Sequence, residues 1–125
     1  MARYLTGEAP GAVPPELGVL FLPVNQTFVR SLAAFDAVAA LAKVSCPVLI
    51  VQGDADIQVD VVDAERLHAA APAATFHIIA GENHLLKRAH ARSLQAQVES
   101  YTDPTVPIMP EVVSAVAEWA DGLAR

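Results

Sequence analysis

From Cys46 onward the hydrophobic pattern turns from scattered to continuous: Pro47-Val-Leu-Ile-Val51 is an unbroken apolar run, opened by a proline and closed at Gly53. Such a run predicts a strand buried on both faces. Asp60 is placed to cap a helix that turns Val61, Val62, Ala64, Leu67 and Ala71 inward and Asp63, Glu65, Arg66 and His68 to water, with Pro72 ending it. Thr75-Phe-His-Ile-Ile-Ala80 is rich in β-branched residues and closed by Gly81, which predicts a second strand. Strand, helix, strand is a βαβ unit. Its two strands should run parallel, about 4.8 Å apart, with their carboxyl ends at one edge.

Before this unit the pattern is broken. Gly7, Pro10, Gly11, Pro14, Pro15, Gly18 and Pro23 interrupt any long element, yet Val19, Leu20, Phe21, Leu22, Val24 and Phe28 lie among them. That is more apolar surface than a flexible linker carries, and it predicts a packed covering segment. Phe28 to Ala42 has a loose helical period that fits one or two short helices. After Gly81 a polar stretch with Lys87, Arg88, His90, Arg92, Gln95, Gln97 and Glu99 reads as a partly helical surface insertion, its basic cluster a solvated helix face. Thr102 to Pro110 holds three prolines and should be extended. Pro110 then opens a last helix with an apolar stripe of Val112, Val113, Val116, Trp119, Ala120 and Leu123. The fold class is α/β, but two strands are fewer than the five or so of a typical sheet, so the chain offers part of such a fold.

Composition narrows the chemistry. The 125 residues suit one domain, and 54% are hydrophobic, which with 18% charged residues sets the chain far from disordered compositions. The net charge of −6 speaks against a nucleic-acid groove, which needs clustered positive charge. A single cysteine, Cys46, allows no intrachain disulfide and reads as inert packing. No apolar run approaches the roughly 20 residues that cross a bilayer. The start Met-Ala-Arg-Tyr-Leu-Thr-Gly-Glu lacks the apolar core of a secretory signal, so a cytoplasmic location is expected if Met1 is the natural start.

In open α/β sheets the reactive crevice lies beyond the carboxyl ends of the strands. Two loops leave there: Gly53-Asp54-Ala55-Asp56-Ile57-Gln58-Val59 and Gly81-Glu82-Asn83-His84. The crossover brings Asp56 and His84 to adjacent strand ends, where a carboxylate can fix an imidazole tautomer and stabilise imidazolium. Asp54 is the alternate acid, though its ordinary role is that of a turn former. His68, His77 and His90 read as structural or solvated residues. Asp54, Asp56, Gln58, Asp60 and Glu65 match calcium-loop spacing, but Val59 stands where a glycine turn is needed, so no metal is expected.

The run Pro47-Val-Leu-Ile-Val-Gln-Gly-Asp-Ala-Asp56, followed by Gly-Glu-Asn-His84 after a βα unit, resembles the C-terminal half of an α/β-hydrolase. Tyr101-Thr-Asp-Pro-Thr-Val-Pro-Ile-Met-Pro110 and the closing helix are similar to the ending of serine-aminopeptidase or lysophospholipase-like members. The resemblance covers about residues 15–123. It implies a cap-like segment over residues 1–45 and the C-terminal part of the core over residues 46–125. It also implies a serine hydrolase cleaving an ester or amide bond, with Asp56 as acid, His84 as general base and no cofactor. The apolar segment Val19–Phe28 would then favour an acyl or other apolar substrate group. The family keeps its nucleophile in a Gly-x-Ser-x-Gly elbow upstream, and no such pentapeptide occurs here. None of Ser31, Ser45, Ser93, Ser100 and Ser114 has the flanking glycines, so the missing N-terminal half is the implied partner. The other reading is a non-enzymatic truncated fragment or small association module that needs a second chain.

Overall fold

The computed structural model describes Gly18 and residues 21–124. The chain forms two compact units, Met1–Ala37 and Val38–Arg125. In the first unit a 3-10 turn, Pro23–Asn25, leads into helix α1, Gln26–Ala34. The helix buries none of its residues, and Phe28, Leu32 and Phe35 are 61%, 63% and 65% exposed. The packed segment expected here is thus not found among the described residues, and Val19 and Leu20 lie outside them.

The second unit is mixed α/β. After the short helix α2, Ala37–Leu41, come strand β1, Leu49–Gly53, helix α3, Val61–Ala70, and strand β2, Thr75–Ile79. The strands pair in parallel, with Leu49 opposite Thr75 and Gly53 opposite Ile79. Strand β1 starts later than the apolar run because Pro47 has no N–H to give the ladder; pairing begins at the Val48 carbonyl, which accepts from Thr75 N at 3.0 Å. The preceding Cys46 is exposed, so it is not the packing residue expected.

Alternate residues of β1 feed two small clusters. Ile50 packs with Ala64 of α3 and Ala74, joined by Leu41, Val48, Leu67, Ala71 and Phe76. On the opposite face Val51 meets Ile79, Met109 and Val112. Helix α3 therefore covers one face, and the last helix, which spans Pro110–Leu123, covers the other. Because Leu41 packs on the Ile50 cluster, α2 belongs with this unit rather than with α1. The cover is incomplete: Ile78 and His77 of β2 are exposed.

Helix α3 starts where its cap predicts, with Asp60 Oδ1 accepting from Val62 N at 3.4 Å. Its inward stripe is narrower than expected. Ala64 alone is buried and Val62 is exposed, whereas His68 lies half-buried and stacks on Phe76 with ring centroids 4.8 Å apart. A ten-residue helix crossing a two-stranded sheet has little surface to bury against, so only its central contact closes. The last helix behaves alike: Val112 and Ala115 are buried, while Val113, Val116 and Leu123 face out.

The stretch after β2 departs most from expectation. Ser93 caps a helix, α4, over Leu94–Thr102, which makes Pro110–Leu123 helix α5. Gln97 and Ser100 of α4 are buried, so this is no surface insertion. The extended segment expected over 102–110 is not continuous: Thr102 ends α4 and the chain turns at 104–106, before Ile108 bridges antiparallel to Lys87 and Met109 N donates to Leu86 O at 2.8 Å.

Gly53 ends β1 hard against the loop after β2. A Cβ there would lie 2.1 Å from the Glu82 carbonyl oxygen and 2.7 Å from the Glu82 Cβ. Backbone cannot rotate aside as a side chain can, so Gly53→Ala should cost about 3 kcal/mol. Urea unfolding checks this, and an unchanged midpoint would contradict the close approach.

Candidate functional site

The paired strand ends hold two loops together through backbone bonds. Asp54 N donates to Ile79 O at 3.2 Å, and Ala55 N donates to Glu82 O at 3.0 Å. Asp54 itself is the turn former: its Oδ1 accepts from Gly81 N at 2.7 Å, bridging loop to loop. Gly81 takes φ +76, a left-handed conformation that glycine adopts without strain.

Asp56 sits deeper. Its Oδ1 accepts from Gln58 N at 2.7 Å and Val59 N at 3.1 Å, an Asx-type turn that fixes the carboxylate plane. Its Oδ2 meets His84 Nδ1 at 2.9 Å and also takes Gln52 Nε2 at 3.4 Å. Burial pushes the Asp56 carboxyl up, but the Gln58 N–H, His84 and the Val59 N–H outweigh it, and the group lies below its ordinary value. The acid is therefore an anion across the neutral range. Its side chain is 7% exposed and that of His84 39%. With Nδ1–H given to the carboxylate, Nε2 is left as the basic atom, and no described residue bonds to it.

Asn83, nearly fully buried, shapes the turn that carries His84. Its Oδ1 accepts from Leu85 N at 3.0 Å and Lys87 N at 3.1 Å, and its Nδ2 donates to Ser100 Oγ at 2.6 Å. The turn closes with Leu86 at φ 61, a left-handed position held by bonds from Leu86 N to Asn83 O and from Met109 N to Leu86 O.

Helix α4 anchors both loops. Gln97, 0% exposed, donates Nε2 to Ala55 O and to Ala91 O, each at 3.0 Å, so it grips the acid loop while Ser100 grips the base loop through Asn83. The basic residues preceding α4 take part as well, and they do not form a helix face. Lys87 Nζ binds Ser100 O and Asp103 O, Arg88 pairs with Glu111 at 3.1 Å, and Arg92 donates to Asp56 O at 3.0 Å.

Asp56, Glu82, Asn83 and His84, with Gln52 and Leu86, line a cavity of about 200 Å³. A larger one, about 510 Å³, lies between α4 and residues 103–110 and has neither Asp56 nor His84 in its wall. Glu82 is the least expected residue of this cavity. It is 1% exposed, its Oε2 has no hydrogen-bond partner, and burial, then the Asp56 charge, raise its carboxyl from 4.5 to about 7. Its signal was an acid directly after a strand-ending glycine, which also reads as a solvated turn. Gln97 and Ser100, three apart on a helix, share a face, but the polar pattern of that helix does not mark the face as inward.

No serine bonds to His84 among the described residues. No three His, Cys, Asp or Glu side chains among them come together as a metal site, and Asp60 and Glu65 lie in α3 and its cap. No described helix is long and apolar enough to cross a membrane. Comparison of the chain with family models, with curated proteins and with solved structures finds no match.

Two outcomes test this arrangement. Gln97→Leu leaves two inward carbonyls without a donor and should cost about 2 kcal/mol by urea unfolding, where an exposed amide would cost almost nothing. For Glu82 the folded protein prefers the neutral acid, so its stabilising share is complete below about pH 4.5 and is lost as pH rises to about 7. Glu82→Gln removes that loss: its melting temperature should rise relative to the parent with pH over this interval, by up to about 3 kcal/mol in stability. Parallel melting curves would place the carboxyl in water.

Proposed function

We propose that the chain supplies the acid and base of a serine α/β-hydrolase and corresponds to the C-terminal part of that fold. The observation that supports this best is the 2.9 Å contact of Asp56 Oδ2 with His84 Nδ1 at the carboxyl edge of a parallel strand pair. In the reaction, His84 Nε2 takes the proton of a serine hydroxyl contributed from outside these residues. The serine attacks an ester or amide carbonyl, and His84 returns the proton to the leaving alcohol or amine. Water then repeats the cycle on the acyl-enzyme. Asp56, anionic throughout, holds the tautomer and balances the imidazolium charge. The oxyanion donors would come from the same missing strands as the serine, and no cofactor takes part.

One observation favours a second reading, an association module without catalysis. The ladder to β2 uses alternate residues of β1, bounded by Val48 O and Asp54 N, so the N–H and C=O of Leu49 and Val51 point away from β2. That row has no strand partner among the described residues and is a template for another chain.

Reading the in-frame DNA upstream of the Met1 codon, and expressing what it encodes, tests the proposal. The expected result is a Gly-x-Ser-x-Gly after a strand pattern and a protein that hydrolyses p-nitrophenyl esters. In it His84→Ala and Asp56→Asn should each lower kcat by about 10⁴-fold or more. Unchanged turnover in His84→Ala would remove the base. A stop codon just before Met1 would leave the association module, and gel filtration should then show the chain bound to a partner or to itself.

A further inference from the structure

A buried carboxyl shares the cavity of the proposed acid and base without serving either role. Glu82 is pinned by its backbone: its N donates to Ile79 O at 3.4 Å, its O accepts from Ala55 N at 3.0 Å, and it is bridged to Arg88. Gly53 is packed against it from β1. The side chain is 1% exposed, and its Oε2 is left without a partner. A carboxylate in that position would carry an unsatisfied charge, which a neutral acid does not.

The charged groups around it cannot supply a counter-ion. Lys87 and Arg88, in its own loop, are engaged by the Ser100 and Asp103 carbonyls and by Glu111. The acid loop contributes two more carboxylates, Asp54 and Asp56, together with Arg92, whose guanidinium is on Asp56 O and near Asp60. The buried polar side chains of strand β1 and helix α4 are the neutral Gln52, Gln97 and Ser100, and Glu99 of α4 is exposed and accepts from Gln95 Nε2. The one group able to become positive on the cavity wall is His84.

We propose that Glu82 is a positioning residue for the Asp56–His84 pair, a third ionisable group that shares its proton equilibrium and so sets how firmly the imidazole holds a proton. As the acid, Glu82 leaves Asp56 the only carboxylate on the cavity wall. As the carboxylate it adds a second, and an imidazolium beside two negative charges gives up its proton less readily to a leaving group. Glu82 is raised to about 7, so the switch between the two states falls in the neutral range. The catalytic meaning rests on the hydrolase reading, but the coupling itself does not.

The test is NMR titration of the 125-residue chain from pH 5 to 9, following the Glu82 carboxyl carbon and the His84 ring signals. In the parent, the Glu82 carboxyl should titrate near pH 7, and the His84 ring signals should respond to that step. In Glu82→Gln the His84 curve should lose that step and shift to lower pH by about half a unit, a roughly threefold weaker hold on the proton. Superimposable His84 curves would overturn the proposal and leave Glu82 as filling. Asp56→Asn serves as the second variant: the Glu82 step should move to lower pH once the neighbouring anion is gone, and an unmoved step would overturn the coupling. Coupled titration in a protein whose full-length form lacks esterase activity would overturn the hydrolase reading alone.

Discussion

The close approach of the two strand ends is the constraint on which the rest depends. Parallel pairing sets Gly53 opposite Ile79, and the chain leaving β2 must pass directly over the end of β1. Only a residue without Cβ permits that passage, because any other would overlap the Glu82 backbone. The contact lets Ala55 and Glu82 bond across the gap, and that bond aligns the two loops. Asp56 and His84, 28 residues apart in sequence, meet because each sits a fixed number of residues beyond that seam.

The apolar core could not hold the seam alone. Of the nine buried apolar residues among those described, five are alanines, each with little surface to remove from water. Polar contacts carry the remainder of the ordering. Gln97 reaches the acid loop, Ser100 reaches Asn83, and Lys87 ties the base loop back to the end of α4. Inside a region that excludes water these bonds are costly to break, since each leaves a buried group without a partner. Helix α4 thus acts as a polar clamp where a larger α/β protein could rely on more sheet.

How much of this was legible follows from range. The βαβ unit was readable because its signals are local: an apolar run, an aspartate cap, a β-branched run and bounding glycines. The meeting of Asp56 with His84 followed from the handedness of the crossover, a rule that needs no side-chain detail. The clamp was not readable. Gln97 contacts a carbonyl 42 residues away, and nothing in a polar helix says that its glutamine points inward. The exposed face of α1 illustrates the converse, since periodicity identifies an apolar stripe but not whether anything covers it. His68 illustrates a related point: a helical wheel places it outside, while stacking on Phe76 draws it in.

The order of burial within the pair bears on its chemistry. A carboxylate that orients a base gains from being dry, because its attraction to the imidazolium is then less screened. The base must instead present its second nitrogen where a reacting hydroxyl can reach it. Asp56 and His84 divide the two demands in that way, the acid enclosed and the imidazole partly open. Helix α4 and Gln52 close the inner side, Gln52 with its amide on Asp56, so a reacting group would approach from the open side of the ring. A partner that completed the sheet along the free edge of β1 would extend the row of strand ends at which the acid loop emerges.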